Sequence, residues 1–104
     1  MARKFEFDPE KDALNWRKHK IHLATAALIF NDPMRIERAD DSESNTSGEE
    51  RMQTLGKAGK VLFVVYTERR KATRLIMARL ATRAEKRSYY GDDPDNDRDW
   101  TKAD

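Results

Sequence analysis

The chain contains no cysteine, and its 104 residues include only 4 glycines and 3 prolines. Without cysteine, neither a disulfide framework nor a thiolate metal site can form. The longest apolar stretches, at residues 23–30 and 61–66, fall far short of the roughly 18 residues that a membrane span needs. Residues 1–5 do not have the pattern of a secretory signal. These absences predict a soluble cytoplasmic protein.

Charge is abundant and unevenly placed. The net charge is +2, but residues 91–104, GDDPDNDRDWTKAD, contain six aspartates, one arginine and one lysine, so they carry −4 and residues 1–90 carry +6. A segment with so much aspartate and one aromatic ring buries too little apolar surface to offset the entropy lost on ordering. We therefore predict one basic folded domain at residues 1–90 and a flexible acidic tail at residues 91–104. The tail is either a solvated terminus or a shield for the basic face.

Capping residues and apolar spacing predict three helices. Asp8 suits the N-cap and Pro9 the first helical position, so a helix is expected from Pro9 to about residue 18. The apolar positions of residues 23–30 recur at helical spacing. Thr82 and Glu85 have the spacing of a capping box at the start of a last helix, which reaches about residue 90.

The remaining apolar segments predict strands. Three of them follow one another with short connections, and without a crossover helix they should pair as an antiparallel meander. The order is therefore β-α-α-β-β-β-β-α, an α+β domain in which an antiparallel sheet packs against helices. The predicted strands are residues 3–7, 34–39, 49–56, 61–68 and 73–80.

Five segments, in this order and at these separations, resemble the BrnT family of toxins, which are RelE-like ribonucleases of type II toxin-antitoxin systems. They are FEFDPEK, NWRKHKI, GEERMQTLGK, VLFVVYTER and ARLATRAEKRSYY, within residues 5–90. The resemblance implies a RelE-like fold and an endoribonuclease that cleaves RNA and inhibits translation and growth. It also implies a partner, a BrnA-like ribbon-helix-helix antitoxin that neutralises the toxin in a 2:2 heterotetramer and alone contacts DNA.

Three positions depart from the family's usual pattern. Lys20 stands where a glycine usually ends the first helix, and His22 stands where a serine usually caps the second. Met77 replaces a common serine, which weakens the case for a direct role at that position, whereas Arg79 two residues later is retained.

The chemistry of RNA cleavage needs cations and one or two titrating groups rather than a cofactor. A base deprotonates the 2′-hydroxyl, and arginines hold the phosphate oxygens in a fork that lysine cannot form. His19 and His22 are separated by a helix break and have no carboxylate at ligand spacing, so no metal site is predicted. The sequence also lacks a glycine-rich phosphate loop.

The candidate residues are polar side chains at strand ends and around the last helix. Because side chains alternate along a strand, Glu50 and Arg51 lie on opposite faces of their strand, and Tyr66 and Glu68 lie on one face of theirs. Arg79 lies on the same face as residues 75 and 77. We expect the guanidiniums to converge on one small concave site that can receive the scissile phosphate. The predicted catalytic residues are His19, Glu50, Arg51, Tyr66, Glu68, Arg79 and Arg83, and the predicted RNA-binding residues are Arg69, Arg74, Lys86 and Arg87.

Each candidate has a structural alternative. His19 could stabilise the dipole of the first helix, and Tyr66 could be a core ring with a satisfied hydroxyl. The remaining charged candidates could form ion pairs, hairpins or a solvated face. At the level of the whole chain, the alternative to an enzyme is a noncatalytic basic module that binds nucleic acid or an acidic partner.

Overall fold

A computed structural model of the chain describes residues 3–41, 48–92 and 99–103. The predicted order of elements is confirmed, with one further strand at the end. Most of the predicted loop at residues 40–48 lies outside the described residues. The elements are β1 (Phe5–Glu6), α1 (Pro9–His19), α2 (Leu23–Ala26), a 3-10 helix (Ala27–Asn31), β2 (Ile36–Ala39), β3 (Met52–Ala58), β4 (Lys60–Glu68), β5 (Thr73–Leu80), α3 (Arg83–Tyr90) and β6 (Thr101–Lys102). No helix in these ranges is both long and apolar enough to cross a membrane.

The strands form one sheet in the order β1-β5-β4-β3-β2-β6. The α+β class is confirmed, and the meander β3-β4-β5 is antiparallel as predicted. The first strand, whose pairing the sequence did not predict, pairs with β5 in parallel, with Phe5 opposite Thr73. Two helices and three strands separate these partners along the chain, so no tight turn fixes their relative direction.

Both faces of the sheet are covered, and each has its own apolar core. The α1 face is the face of Leu62, Val64 and Tyr66, and α1, α2 and the 3-10 helix pack on it. The α3 face is the face of Phe63 and Val65, against which Tyr89 of α3 and Trp100 pack. The site residues can therefore be placed by the face on which they lie.

A β-bulge in β5 reverses the faces of the sheet on which the side chains of its second half lie. Tyr66 pairs with Leu75 and Val65 pairs with Met77, so Ile76 is the extra residue. Leu75 consequently belongs to the core of the α1 face, whereas Met77 packs on the α3 face. Arg79, opposite Phe63, also lies on the α3 face. The prediction that Arg79 shares a face with Leu75 is wrong, because strict alternation does not hold across a bulge.

The first two helices show how the chain tolerates two unusual residues. Lys20 ends α1 in the left-handed conformation, with φ of 60°, although it is not glycine. His22 occupies the N-cap of α2 but makes no capping hydrogen bond. Asp12 of α1 replaces that cap, because its Oδ1 accepts from the Leu23 N–H at 2.7 Å and its Oδ2 lies 3.1 Å from His22 Nδ1. The second helix continues as a 3-10 helix after Ala26.

The end of the chain contributes to the fold. Thr101–Lys102 form β6 against β2, and the Ala103 N–H donates to the Arg35 carbonyl at 2.9 Å. Trp100 is 9% exposed and lies under the guanidinium of Arg38, 4.1 Å from Cζ to the ring centre. For residues 99–103 the prediction of a flexible tail is wrong, because one large ring supplies the apolar surface that the aspartates lack. Residues 93–98 lie outside the described residues, and the boundary at residue 90 stays a prediction.

Candidate active site

The predicted site residues lie in separate regions of the sheet. Arg79 pairs with Phe63, three residues before Tyr66 on β4, which is about 10 Å along the strand. The two side chains also point to opposite faces of the sheet. The predicted residues therefore do not form one site, and each region is described by its own chemistry.

One region is a groove on the α1 face, at the end of β4. It is a cavity of about 350 Å³ that contains three predicted residues, Glu50, Tyr66 and Glu68. Three further charged residues line it that sequence reasoning missed. Together with the predicted residues, they give the lining more carboxylates than guanidiniums. A net negative lining does not favour an RNA phosphate. The missed residues are Arg3, Arg35 and Glu37.

Tyr66 is built into the core beneath this groove. Its side chain is buried, and its hydroxyl donates to Glu37 Oε1 at 2.6 Å. Burial and the neighbouring carboxylate raise the pKa of Tyr66 to about 12. The phenol therefore stays protonated at neutral pH, and a role as a base would require an ionisation that its surroundings oppose.

Arg35 is the charged residue that sequence reasoning was least able to find. It is 2% exposed, with its guanidinium 4.3 Å from the centre of the Phe30 ring. Its Nη1 donates to Thr54 at 3.1 Å and to Glu37 at 3.2 Å. At the rim, Arg3 donates to Glu68 and lies over the same Phe30 ring. These contacts join β1, β2 and β4 around the groove.

The other region is the end of β5, where Arg79 is held in a fixed orientation. Its Nη1 and Nη2 donate to the two carboxylate oxygens of Glu85 at 2.8 and 3.0 Å, and its Cζ lies 3.9 Å from the centre of the Phe63 ring. Glu85 also completes the predicted capping box with Thr82, which is confirmed. Burial would raise the pKa of Glu85, but the hydrogen bonds from Arg79 and Thr82 hold it below its usual value.

This arrangement leaves part of the Arg79 guanidinium available. A guanidinium has five N–H donors. The hydrogen bonds to Glu85 use one donor of Nη1 and one of Nη2. The Nε–H and the second Nη2–H, which point in parallel from the other edge, have no partner among residues 3–41, 48–92 and 99–103. Such a pair matches two oxygens of a phosphate.

His19 is at the last turn of α1 and lines a cavity with Leu80, the residue that follows Arg79. Burial lowers the pKa of His19 below 6.5, and the charges of Lys18 and Arg79 lower it further. The imidazole is therefore neutral at pH 7 and can accept a proton. Asn15, which the sequence did not single out, holds α1 in place, because its amide donates to the Ala78 carbonyl and accepts from the Ala78 N–H, both at 3.0 Å.

The remaining predicted cations surround these regions. Arg69 pairs with Glu49 at 3.1 Å beside the β4–β5 turn, and Arg74 pairs with Glu6 at 2.9 Å. The Nε of Arg51 is buried without a hydrogen-bond partner in the described part of the chain. The cations of α3 are solvent-exposed, namely Arg83, Lys86 and Arg87. The described ranges contain no group of three side chains that could hold a metal ion.

The fold is an α+β domain with arginines in the groove of the α1 face and at the end of β5. A family model described as "Ribonuclease toxin, BrnT, of type II toxin-antitoxin system" matches residues 7–85. The chain therefore belongs to the BrnT family of ribonuclease toxins, as its sequence motifs predict.

A solved structure agrees with this assignment. The 1.1 Å crystal structure of the Brucella abortus ribonuclease toxin, BrnT, matches with a TM-score of 0.57 and 17% identity, covering 79% of this chain and 100% of that chain. At this identity the likeness concerns the fold alone. No curated protein matches the chain.

Proposed function

We propose that this toxin cleaves single-stranded RNA without a metal ion, with Arg79 holding the scissile phosphate and His19 acting as the base. The observation that carries the proposal is the orientation of Arg79. Glu85 and Phe63 fix the guanidinium, which leaves its Nε–H and Nη2–H as an unpaired fork, and Leu80, the residue after Arg79, lines a cavity together with the neutral imidazole of His19. Preorganised donors of this kind stabilise charge that develops in the transition state.

The reaction follows from these two groups. His19 takes the proton of the 2′-hydroxyl, and the 2′-oxygen attacks the adjacent phosphorus. The bond from phosphorus to the 5′-oxygen breaks, and that oxygen takes up a proton from water. The products are a 2′,3′-cyclic phosphate and a 5′-hydroxyl end, while the Arg79 fork binds the extra negative charge of the pentacoordinate phosphate.

The other candidates have supporting roles in this proposal. The cations of α3, of the residue before β3, of the β4–β5 turn and of β5 attract and position the RNA backbone. They are Arg51, Arg69, Arg74, Arg83, Lys86 and Arg87. Catalytic roles for Glu50, Tyr66 and Glu68 stay predictions, and the groove that they line lies toward the other end of β4 from Arg79, outside the reaction centre proposed here.

Neutralisation is the second part of the proposal. A BrnA-like ribbon-helix-helix antitoxin, in a 2:2 complex with the toxin, covers Arg79 and Arg83 and so competes with RNA in the cytoplasm. Only the antitoxin contacts DNA. The surface for which the antitoxin and RNA compete is basic, so the complex should weaken as the salt concentration rises. A Kd of the complex that is insensitive to salt would contradict a charge-based interaction.

The nuclease proposal is tested with purified toxin, single-stranded RNA and a metal chelator. We expect fragments that end in 2′,3′-cyclic phosphate. Arg79→Lys keeps the charge but loses the fork, so we expect cleavage to slow about 10²- to 10³-fold. His19→Ala should slow it about 10²- to 10⁴-fold.

Arg70→Ala is the matched control, because Arg70 is an exposed cation in the turn after β4. Its cleavage rate should stay close to that of the wild type, and all variants should keep the wild-type unfolding midpoint. Intact RNA that is still bound by the wild type would support the noncatalytic module instead. Equal rates for the wild type, Arg79→Lys and His19→Ala would place the active site elsewhere.

A further inference from the structure

A second cavity opens beside His19, on the α1 face between the end of α1 and the start of β4. Its volume is about 480 Å³, within the range of small-molecule sites. His19 is on its edge, so whatever occupies the cavity lies next to the proposed base. The other lining residues that matter here are Trp16, His22, Lys20, Lys60, Leu62 and Leu80.

Large apolar groups in this cavity are unusually accessible. Trp16 is 45% exposed and Leu80 is 50% exposed, although the neighbouring Leu62 is buried. Exposed apolar residues that lie together in a concave surface, rather than scattered singly, mark binding sites. A ligand with a flat apolar part would remove both side chains from water.

The polar groups of the cavity indicate the charge of that ligand. Lys20 and Lys60 line it, and no carboxylate does so among the described residues. The nearest acidic group of α1, Asp12, is occupied by His22 and by the N–H of Leu23. The cavity therefore suits an anion.

The aromatic rings indicate the shape of the ligand. Trp16 and His22 are stacked, with ring centres 4.5 Å apart and planes inclined by only 3°. Lys20 places its ammonium 5.7 Å from the centre of the Trp16 ring. A stacked aromatic pair beside cations is the arrangement with which proteins bind the bases of single-stranded nucleic acid.

We infer that this cavity binds one nucleotide of the RNA substrate, next to the scissile phosphate. The base extends the Trp16–His22 stack and covers Leu80, and its phosphate lies between Lys20 and Lys60. A protein segment with an acidic and apolar surface is the competing ligand. RNA is favoured because the flat stacked pair adjoins His19, where the substrate has to pass. This inference rests on the proposed function only for that adjacency.

The test uses a short single-stranded RNA oligonucleotide with 2′-O-methyl groups, which lacks a free attacking hydroxyl and cannot be cleaved. Its Kd is measured by fluorescence anisotropy. Trp16→Ala should bind about 5- to 150-fold more weakly, the range that corresponds to the loss of one stacked base. Lys60→Gln should weaken binding and reduce the salt dependence of the Kd by about one phosphate contact.

Tyr90→Ala is the matched control, since Tyr90 is a similarly exposed ring, 52%, on α3. Its Kd should equal that of the wild type. Unfolding midpoints identify any variant that fails to fold, and Lys60→Gln gives an independent readout. Unchanged Kd values for both Trp16→Ala and Lys60→Gln would overturn the inference. So would a Trp16→Ala variant that binds the oligonucleotide normally but loses a copurified antitoxin, because the cavity would then bind protein.

Failure of the nuclease proposal would look different. If His19→Ala still cleaves RNA, but the oligonucleotide depends on Trp16 for binding, the cavity stands while the assigned base does not. If all variants cleave and bind alike, both proposals are wrong.

Discussion

His19 shows how one residue combines a structural and a chemical position. It is half-buried at the last turn of α1, where a cation would favour the helix dipole, yet burial, Lys18 and Arg79 all lower its pKa from 6.5. The neutral form is therefore dominant at pH 7, and its stabilisation of the dipole is lost there. The capping role considered from the sequence consequently applies only at acidic pH, whereas a proton-accepting role applies at neutral pH.

Lys18→Gln tests the assignment of His19 as the base. Removing a neighbouring positive charge should raise the His19 pKa toward 6.5, because less charge opposes protonation. Since the base must be neutral, the acid limb of the rate of RNA cleavage should move to higher pH by the same amount, while the rate at high pH stays unchanged. NMR titration of the imidazole and pH-rate profiles measure the two shifts.

Lys11→Gln serves as the control, because Lys11 is on the same helix but does not influence the His19 pKa. Neither its titration nor its acid limb should move. If Lys18→Gln shifts the NMR titration and leaves the pH-rate profile in place, His19 is not the group whose ionisation limits cleavage.

Single residues also mark the limit of sequence reasoning at this scale. Asp12, Asn15 and His19 lie on α1 at helical spacing i, i+3 and i+7, so a polar stripe could have been identified. That this stripe faces the protein, with Asn15 bonded to β5, was not predictable, because buried helix faces are usually apolar. Arg35 gave no signal, since its burial depends on Phe30 of the 3-10 helix and Thr54 of β3 as well as on its neighbour Glu37.

At the scale of elements, the sequence correctly predicted the helix starts, because these depend on contacts between residues close together in the chain. The Asp8 cap, the proline after it and the capping box of α3 make their contacts within a few residues, and the corresponding helix starts are confirmed. The bulge at Ile76 and the parallel pairing of β1 depend on contacts far apart in sequence. The bulge decides on which face Arg79 lies, so the site could not be assembled from the sequence alone.

The 3-10 helix and β3 make a contact that only glycine permits. A Cβ added at Gly56 would lie 2.7 Å from Ile29 Cβ and 3.2 Å from the Ile29 carbonyl oxygen. Gly56→Ala should therefore push Ile29 away and lower the free energy of unfolding by about 1–3 kcal/mol, as overpacking of a core typically does. Chemical denaturation measures the loss.

Lys57→Ala is the matched control on the next position of β3, where the side chain is exposed. It should change the free energy of unfolding by no more than about 0.5 kcal/mol. Equal stability of Gly56→Ala and the wild type would show that the 3-10 helix is displaced without cost, and that its close approach to β3 is not needed.

At the scale of the whole molecule, charge differs between the two ends of β4. The groove at the end of β4 collects carboxylates with Arg3 and Arg35, while Arg79 and the cavity of Lys20 and Lys60 lie toward its start. The net charge of +6 on residues 1–90 predicted a basic surface but could not place it. The place is determined by strand register, which no single segment encodes.

The acidic composition of residues 91–104 predicts a flexible tail, whereas the contacts of residues 99–103 indicate that this part is attached to the sheet. Asp99 is 80% exposed at its side chain and lies 3.9 Å from Arg38, a distance at which a surface pair contributes little. Trp100, one residue later, is buried with Leu55, Phe63 and Val65 on the α3 face. If the segment stabilises the fold, the indole and not the acidic charge must be responsible.

Trp100→Ala should therefore lower the free energy of unfolding by about 3–5 kcal/mol, the usual cost of removing a buried indole. Asp99→Ala, the neighbouring control, should change it by no more than about 0.5 kcal/mol. Denaturant titration of both variants measures this difference. A flexible tail would make the two substitutions equally neutral, and that result would restrict the stable fold to residues 1–90. A large loss for Trp100→Ala alone would instead extend the folded domain through β6, because the sheet then needs the indole to cover its α3 face.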